Sequence, residues 1–528
     1  MALQLEEIPA GPHLIAPFRP QRSGVDYINL RQVNLDLMAT CIPGTNNATR
    51  FVRPYSLMCW IYWIYPKLLE RSASEEASSE QLRLFREKVE SLHLWGHLME
   101  DVSGLPGTNS KPPQPKNGLI DLSFEAWNER SATNTSLQAA VQYGPSLLDL
   151  GGIGFLHKSD AHFYQVTEQG EKLAIALDER LRQSPHYASL TNVDLLQASE
   201  EEARELFQHW RIDETSPAEQ EAFQSALWNP ESINQKTGLG RRSASIKLVL
   251  DILEAAGGPL SEQKIREMMA FPRLWDRLPE ELEEGLQHQS RLWVLLQFRQ
   301  LHRLALESLM GWVEGQLLQG TRIPDLIIDK AYAGVSEYLD VDSSISVKDL
   351  LTAASDPLAT IDDYLAFRED DPDWFDLNLL IEDLLRVSSE EDEETCPTSF
   401  YVMLLLYNCR GWMENDDTIA SQLCHGGAAR VSFGYWFSTI DKLLDRPARE
   451  LIDWTIKNLI ISQHFAVGTN RFDGERIRLR FILEEEGLES LIRDPWHPIV
   501  TPDRLWTLLS LMDSCGLIRW TDEGYIHV

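Results

Sequence analysis

The stretch IPGTNNATRFVRPYSLMCWIYWIYPK, residues 42–67, sets a turn, two arginines and a run of large aromatics side by side. Pro43-Gly44 is a turn pair, and the side chains of Thr45, Asn46, Asn47 and Thr49 hydrogen-bond local backbone, so the chain loops tightly before Arg50. Pro54 fits the first turn of a helix, where its missing N–H costs nothing. From Tyr55 to Tyr65 nearly every position is apolar or aromatic, which on a helix means burial on all sides. Pro66 predicts its end. The run is shorter than the roughly 20 apolar residues a membrane span needs, so it reads as a core helix. Arg50 and Arg53 flank it and need partners when buried: first the carboxylates of the chain itself, as internal braces, and second a phosphate or other anion from outside.

A chain of 528 residues is too long for one core and implies two to four domains. Its 43% hydrophobic and 9% aromatic content excludes global disorder. The net charge of -33 repels nucleic acid as a whole and attracts basic partners, so contact with DNA or RNA needs a local basic patch. The amino terminus, MALQLEEIPAGPH, lacks the basic and apolar segments of a secretory signal. No run of 18 apolar residues occurs, so no membrane span is predicted. Six cysteines without CxxC spacing fit a reducing cytosol. The expected location is cytoplasmic, and the sequons at Asn47 and Asn134 are then silent.

Composition divides the chain into an amino-terminal helical domain (1–103), a Gly/Pro-rich linker (104–118), a module at 119–195, a helical middle (196–387), an acidic linker (388–398, SSEEDEETCPT) and a carboxy-terminal helical domain (399–528). Within it, Ser78 caps a second long helix. Residues 135–150 carry a helical pattern, followed by LGGIGFLHKSDAHFYQVTEQGEKLAIALDERL, two short apolar runs around a polar turn at Lys158 to Asp160 and then a helix. This resembles the end of a winged helix domain, whose wing closes on a Tyr-x-Val-Thr-x-x-Gly segment, here Tyr164, Val166, Thr167 and Gly170. The resemblance implies a fold, and the wing and preceding helix supply Lys158 as their only cation, which favours a protein-facing or structural wing over a DNA reader. Further on come acidic turns such as REDDPDW. Near the carboxy terminus ERIRLRFIL alternates, with Ile477, Leu479 and Phe481 on one face and Arg476, Arg478 and Arg480 on the other, predicting a strand with an exposed arginine edge. The last 28 residues, TPDRLWTLLSLMDSCGLIRWTDEGYIHV, read as a helix stopped at Gly516 and a hairpin turning at Asp522 to Gly524, again similar to a winged helix, with Arg504 the helix's only cation. The fold class is therefore mainly α, a multi-domain helical protein with small β-hairpin wings near residues 135–175 and 475–528.

Chemistry is sparse. Lys236, Arg241, Arg242 and Lys247 form the densest basic cluster, with Gly238 and Gly240 baring the backbone at a helix start, where a phosphate fits; the G-x-x-x-x-G-K-[ST] order of a nucleotide P-loop is absent. His93 and His97 lie four apart as zinc ligands do, but the intervening Leu-Trp-Gly lacks a metalloprotease's general base, and packed core histidines are the simpler reading. Cys409, Cys424 and His425 lack a second close pair. PDLIIDK at 324–330 has the wrong spacing for a nuclease core, and neither a Gly-x-Ser-x-Gly elbow nor a Gly-x-Gly-x-x-Gly loop follows a strand. No cofactor, metal ligand or catalytic residue is therefore assigned. The candidate contacts for an anion or partner are Arg50, Arg53, Lys236, Arg241, Arg242, Arg476, Arg478 and Arg480.

The order Pro43, Gly44, Thr49, Arg50, Arg53, Tyr55, Trp60, Trp63 resembles the amino-terminal signature of uncharacterised bacterial proteins often encoded near anti-phage defence genes. That resemblance implies a cytosolic, non-enzymatic protein-interaction component or adaptor of a multi-gene antiviral assembly, with other subunits of the system as partners. The alternatives are a DNA-associated winged-helix regulator using local basic patches, which the net charge disfavours, and an enzyme of unrecognised type.

Overall fold

The computed structural model describes residues 26–72, 78–159, 163–270, 282–342, 344–354, 377–472 and 478–528. Arg476, the REDDPDW turn and the MALQLEEIPAGPH stretch lie outside them. In chain order the elements begin with α1 (Arg31–Cys41), α2 (Arg53–Ser72), α3 (Ser79–Met99), β1 (Leu119–Asp121), α4 (Gly144–Leu147), β2 (Leu156–Lys158), β3 (Tyr164–Val166) and α5 (Glu168–Leu181). They continue with α6 (Tyr187–Leu190), β4 (Gln197–Ser199), α7 (Glu200–Trp210), α8 (Pro217–Leu227), α9 (Gly238–Ala256), α10 (Glu262–Ala270), α11 (Glu284–Leu318), α12 (Pro324–Tyr338) and α13 (Val347–Ala354). The remainder is α14 (Leu377–Ser389), α15 (Thr395–Asn408), α16 (Arg410–Asn415), α17 (Asp417–Ala420), α18 (Phe433–Leu443), α19 (Ala448–Trp454), α20 (Gln463–Asn470), β5 (Phe481–Glu484), β6 (Gly487–Ser490), α21 (Leu505–Ser514), β7 (Ile518–Thr521) and β8 (Gly524–His527). The protein is mainly α, and among the described residues the strands pair two by two, antiparallel, as β1–β4, β2–β3, β5–β6 and β7–β8.

Contacts divide the described chain into two compact units. The first takes in Met38–Met269, 282–290 and Pro502–Val528; the second takes in residues 26–37, Ala270 and Arg291–Thr501. The carboxy-terminal helix and hairpin thus belong with the amino-terminal half, a grouping the composition-based segmentation does not contain. No composition shift announces it, because it depends on contacts between residues hundreds of positions apart.

In the first unit α2 is the central helix. Tyr55, Leu57, Met58, Cys59, Trp60 and Ile61 have no exposed surface, so this helix is buried on all sides as its composition dictates. Each such aromatic or aliphatic side chain contributes about 1.5–3 kcal/mol on burial. Polar tips find acceptors: Trp60 Nε1 donates to Asp178 Oδ1 at 2.9 Å, and the Tyr55 hydroxyl meets Ser146 Oγ at 2.6 Å. Tyr55 also packs edge-on to Tyr143 and against Phe155 and Phe223 at 5.1–5.5 Å. Ser78 caps α3 by accepting from the Gln81 amide at 3.0 Å. Capping boxes open α7 (Ser199 with Glu202) and α8 (Ser216 with Glu219). In the wing β2 pairs β3, and Thr167 caps α5 while its hydroxyl donates to the Gly154 and Phe155 carbonyls.

In the second unit α11 is buried along most of its length from Leu292 to Leu317, with apolar and polar side chains alike inside. α12 packs on α15 and α19. A π-helical turn, Thr455–Ser462, joins α19 to α20.

Four local expectations are corrected. Pro66 does not end α2, which continues to Ser72; Pro66 is solvent-facing, and burial of Leu69 beyond it offsets the lost backbone bond. Residues 135–150 form turns and only the four-residue α4, because Glu90 accepts from Ser136 Oγ and the Leu137 amide and Thr135 bonds back to Ser131, so the backbone is satisfied without a helix. The acidic stretch 388–398 is no linker: α14 and α15 reach into it, and Ser388, Thr395, Cys396 and Thr398 are buried while Thr395 Oγ1 donates to the Val387 carbonyl at 2.8 Å. The strand near residue 480 starts only at Phe481 and pairs with β6, leaving Arg478 and Arg480 ahead of the ladder.

The α3–α7 contact depends on Gly96, where a Cβ would lie 2.8 Å from the Ala203 carbonyl oxygen. Gly96→Ala is therefore expected to destabilise the first unit by about 1–3 kcal/mol. The measurement is the urea midpoint at unchanged m value, and an unchanged midpoint would mean that α7 can shift to make room.

Candidate anion-contact site

Three of the candidate cations prove to be internal braces. Arg53 and Glu219 have no exposed surface and meet at 2.9 Å, off the hydrogen-bond axis. Arg53 Nε also donates to the Arg211 carbonyl at 3.2 Å and Nη2 to that of Glu214, clipping the start of α2 to the turn before α8. Arg242 donates to the carbonyls of Leu227 (2.6 Å), Pro43 (2.8 Å) and Ala226 (3.0 Å). Burial pulls both guanidinium pKa values down to about 10, so they stay charged at neutral pH. In the second unit Arg480, expected on an exposed edge, is 7% exposed and paired with the fully buried Glu314 at 2.6 and 2.9 Å. Arg480 turns inward because Glu314 and the rings of Tyr27 and Trp496 meet it there, and it is buried together with Phe481 rather than on an opposite, exposed face. Arg478 is half-buried with its Nε unpartnered.

The remaining candidates gather in the first unit. Gly44 adopts a left-handed φ of +83°, as the Pro43-Gly44 turn requires, and the turn is held by Arg242 on the Pro43 carbonyl and by Ser245 Oγ on the Cys41 carbonyl at 2.8 Å. This docks the turn on the first turns of α9, which Thr237 caps and which carry Arg241, with Lys236 exposed just before. Asn47 Nδ2 donates to the Pro502 carbonyl at 3.2 Å, tying the loop after the turn to the start of α21. Arg50 then lies over the Trp506 ring, 4.2 Å from its centroid. Arg241 and Arg504 both stand within electrostatic reach of the buried Cys41 thiol. Arg241 and Arg504 thus each approach Cys41, while Arg50 packs on the Trp506 ring. Arg504 was noted in the sequence as a lone helix cation but not singled out; its role depends on a left-handed backbone, φ +66°, and on a chain return of some 450 residues, neither of which a local pattern encodes.

His97 and His464 have structural roles. His97 Nδ1 bonds the His93 carbonyl at 2.7 Å and its Nε2 accepts the Ile212 amide at 2.9 Å; His464 Nε2 likewise accepts the Arg480 amide at 2.9 Å. Both rings are therefore neutral, and burial holds both pKa values down to about 4. Burial pushes the thiols of Cys409 and Cys515 up to about 12, far from thiolate reactivity at neutral pH. Among the described residues no group of three or more His, Cys, Asp or Glu side chains is placed to hold a metal. A pocket of about 270 Å³ is lined by Tyr62, Arg83, Arg86, Ser136 and Gln138 among others, but its arginines are paired with Glu80, Glu87 and Glu90.

Glu219→Gln leaves the buried Arg53 without its counter-charge and is expected to cost about 3–5 kcal/mol. The double variant Arg53→Met/Glu219→Leu should recover much of that loss in chemical denaturation; a double variant as unstable as the single would assign the stability to the carbonyl contacts of Arg53 instead. The histidines predict acid lability. Between pH 6.5 and 4 the unfolded chain binds protons at His97 and His464 that the folded chain refuses, so stability falls with pH, by about 3 kcal/mol per ring at the lower end. Glu307, raised to about 7 by burial, opposes this, since its folded form takes a proton first. The denaturation midpoint should drop from pH 6.5 to 4 and His97→Gln should flatten the drop, whereas a midpoint rising toward acid would contradict the neutral assignment.

No family model matches this chain, and no curated protein or solved structure does either.

Proposed function

We propose that the chain is a non-enzymatic interaction component, or adaptor, of a prokaryotic antiviral defence assembly, acting in the cytoplasm and holding partner subunits through its acidic surface. The resemblance of the Pro43 to Trp63 signature supports the setting. The observation that carries the binding mode is the distribution of charge. Among the described residues the interior takes seven cations, Arg53, Arg242 and Arg480 among them, and eight carboxylates, Glu219 and Glu314 among them. Burial is thus nearly neutral, and the excess of acid that makes the net charge -33 stays outside, where it attracts a basic protein face and repels a polyanion. Among the described residues no helix is long and apolar enough to cross a membrane.

A second reading, a DNA-associated regulator, is favoured by the helix and hairpin α21, β7 and β8, on which Arg519 is exposed. The net charge weighs against it.

Co-expression with the products of adjacent genes should yield a stable complex whose partner is basic at the contact and which dissociates as salt rises, and deletion of the gene should abolish protection against phage. Protection that survives deletion would sink the reading. Binding of duplex DNA with a steep salt slope would replace it by the second.

A further inference from the structure

Glycine inside a helix costs stability, so a pair on one face is kept for what its missing side chains leave free. Gly311 and Gly315 stand four apart on α11 and share a face. At Gly311 the space is filled by the Trp496 backbone. At Gly315 an added Cβ would meet nothing within 4 Å. The opening belongs to a pocket of about 90 Å³ inside the second unit, with Trp312, Pro495 and Trp496 among its apolar walls and Glu391, Asp392 and Glu393 among its polar ones. That is far more than the roughly 10–15 Å³ that admits one water and far less than the roughly 300–1,000 Å³ of a cofactor site, so the pocket suits the head of a single side chain.

Among the described residues that line it there is no lysine, arginine or histidine. Glu390 just outside is taken by Arg386 at 3.2 Å, but Glu391 and Glu393 are exposed and meet no described cation. Lys330 touches the lining residue Gln316 and spends its ammonium there, on Oε1 at 2.8 Å, and on Thr321 Oγ1 at 3.0 Å. Ser388 also lines the pocket; it is 5% exposed, and its hydroxyl has no hydrogen-bond partner among the described residues, whereas a buried hydroxyl ordinarily has one. The acidic turn is fixed in place. The Asp392 amide donates to the Val387 carbonyl at 3.0 Å while Glu391 adopts φ +54°, the closing pattern of a helix in which the left-handed position normally falls to glycine. A glutamate there bears backbone strain and sets a carboxylate at the pocket.

We propose that this pocket is the socket for one arginine side chain of the basic partner. The inference rests on the reading of the chain as an adaptor for a basic protein and gives that contact a place. A guanidinium is planar and weakly hydrated, so it stacks on an indole while its forked N–H groups meet several acceptors at once, here the Ser388 hydroxyl and the carboxylates of the turn. Trp496 already serves a cation in this way, with the Arg480 guanidinium 5.7 Å from its ring centroid. The half-buried Trp312 has no such cation among the described residues. A lysine ammonium, compact and strongly hydrated, matches the rings less well.

The test is calorimetric titration of the full chain with the blocked tripeptide acetyl-Gly-Arg-Gly-amide and with its lysine and citrulline counterparts. The arginine peptide should bind, the lysine peptide more weakly and the citrulline peptide not at all. Two variants remove the socket by different means: Glu391→Gly deletes a carboxylate and relieves the left-handed strain, and Gly315→Leu fills the opening with a better helix former. Each should weaken the arginine peptide by about tenfold with a melting temperature no lower than the parent's, and one suffices where the other does not fold. Glu254→Gln, an exposed acid of the first unit, should leave binding unchanged. No binding of the arginine peptide, equal binding of the lysine peptide, unchanged affinity in the folded variants, or an equal loss in Glu254→Gln would each overturn the socket. A partner complex that forms and withstands both variants would overturn it too while leaving the adaptor reading in place. Peptide binding lost in the variants, with no complex formed on co-expression, would keep the socket and sink the adaptor reading.

Discussion

Glu314 has no exposed surface, and its oxygens are filled by the Arg480 guanidinium at 2.6 and 2.9 Å and by the Trp496 amide at 2.6 Å. A carboxylate so placed fixes its neighbours, because removing any one donor leaves charge stranded in a medium that solvates it poorly. Gly311, one turn earlier on α11, admits the Trp496 backbone only because it has no side chain: a Cβ there would stand 2.1 Å from the Trp496 oxygen. The same rule, every buried charge met, governs the first unit through Arg53 with Glu219 and through Arg242, which three carbonyls neutralise without any acid. Such contacts contribute little net stability over apolar packing but hold segments in one register.

What this constraint does to the surface matters for function. Taking arginines inward with matching carboxylates, or with carbonyls alone, removes cations from the outside of an already acidic chain. Lys88 is a further instance, inside a cage of the Ser189 and Asn192 carbonyls at 2.8 Å, its pKa pulled down by burial to about 8. Because the buried charges nearly cancel, a basic partner meets a surface on which the acid excess of the whole chain is retained.

The aromatic helix was legible because burial on all sides follows from composition, and the cap of α3 because a serine side chain acts within three residues. The failures have one cause. Pro66, the turns at 135–150 and the helices around 388–398 were decided by contacts from elsewhere in the chain, Glu90 being the clearest, and a local pattern contains no such term. The arginines illustrate the limit well. Alternation at 476–480 gives the face of each residue but not whether that face meets water or Glu314, and the adjacent Arg241 and Arg242 look equivalent in sequence while one is satisfied by three carbonyls and the other is not.

That last contrast has its origin in the geometry of α9. Arg242 donates to the Pro43 carbonyl and cements that turn; Arg241, about 100° around the helix, is thereby turned to other surroundings, within electrostatic reach of Cys41. The brace and the open cation are therefore one device: the residue that fixes the turn also fixes the orientation of its neighbour. Strain at Arg504 fits the same logic, since a left-handed arginine persists only where its surroundings over-determine it, and here Asp503, locked by Arg266 and bonded to the Leu505 amide, does so.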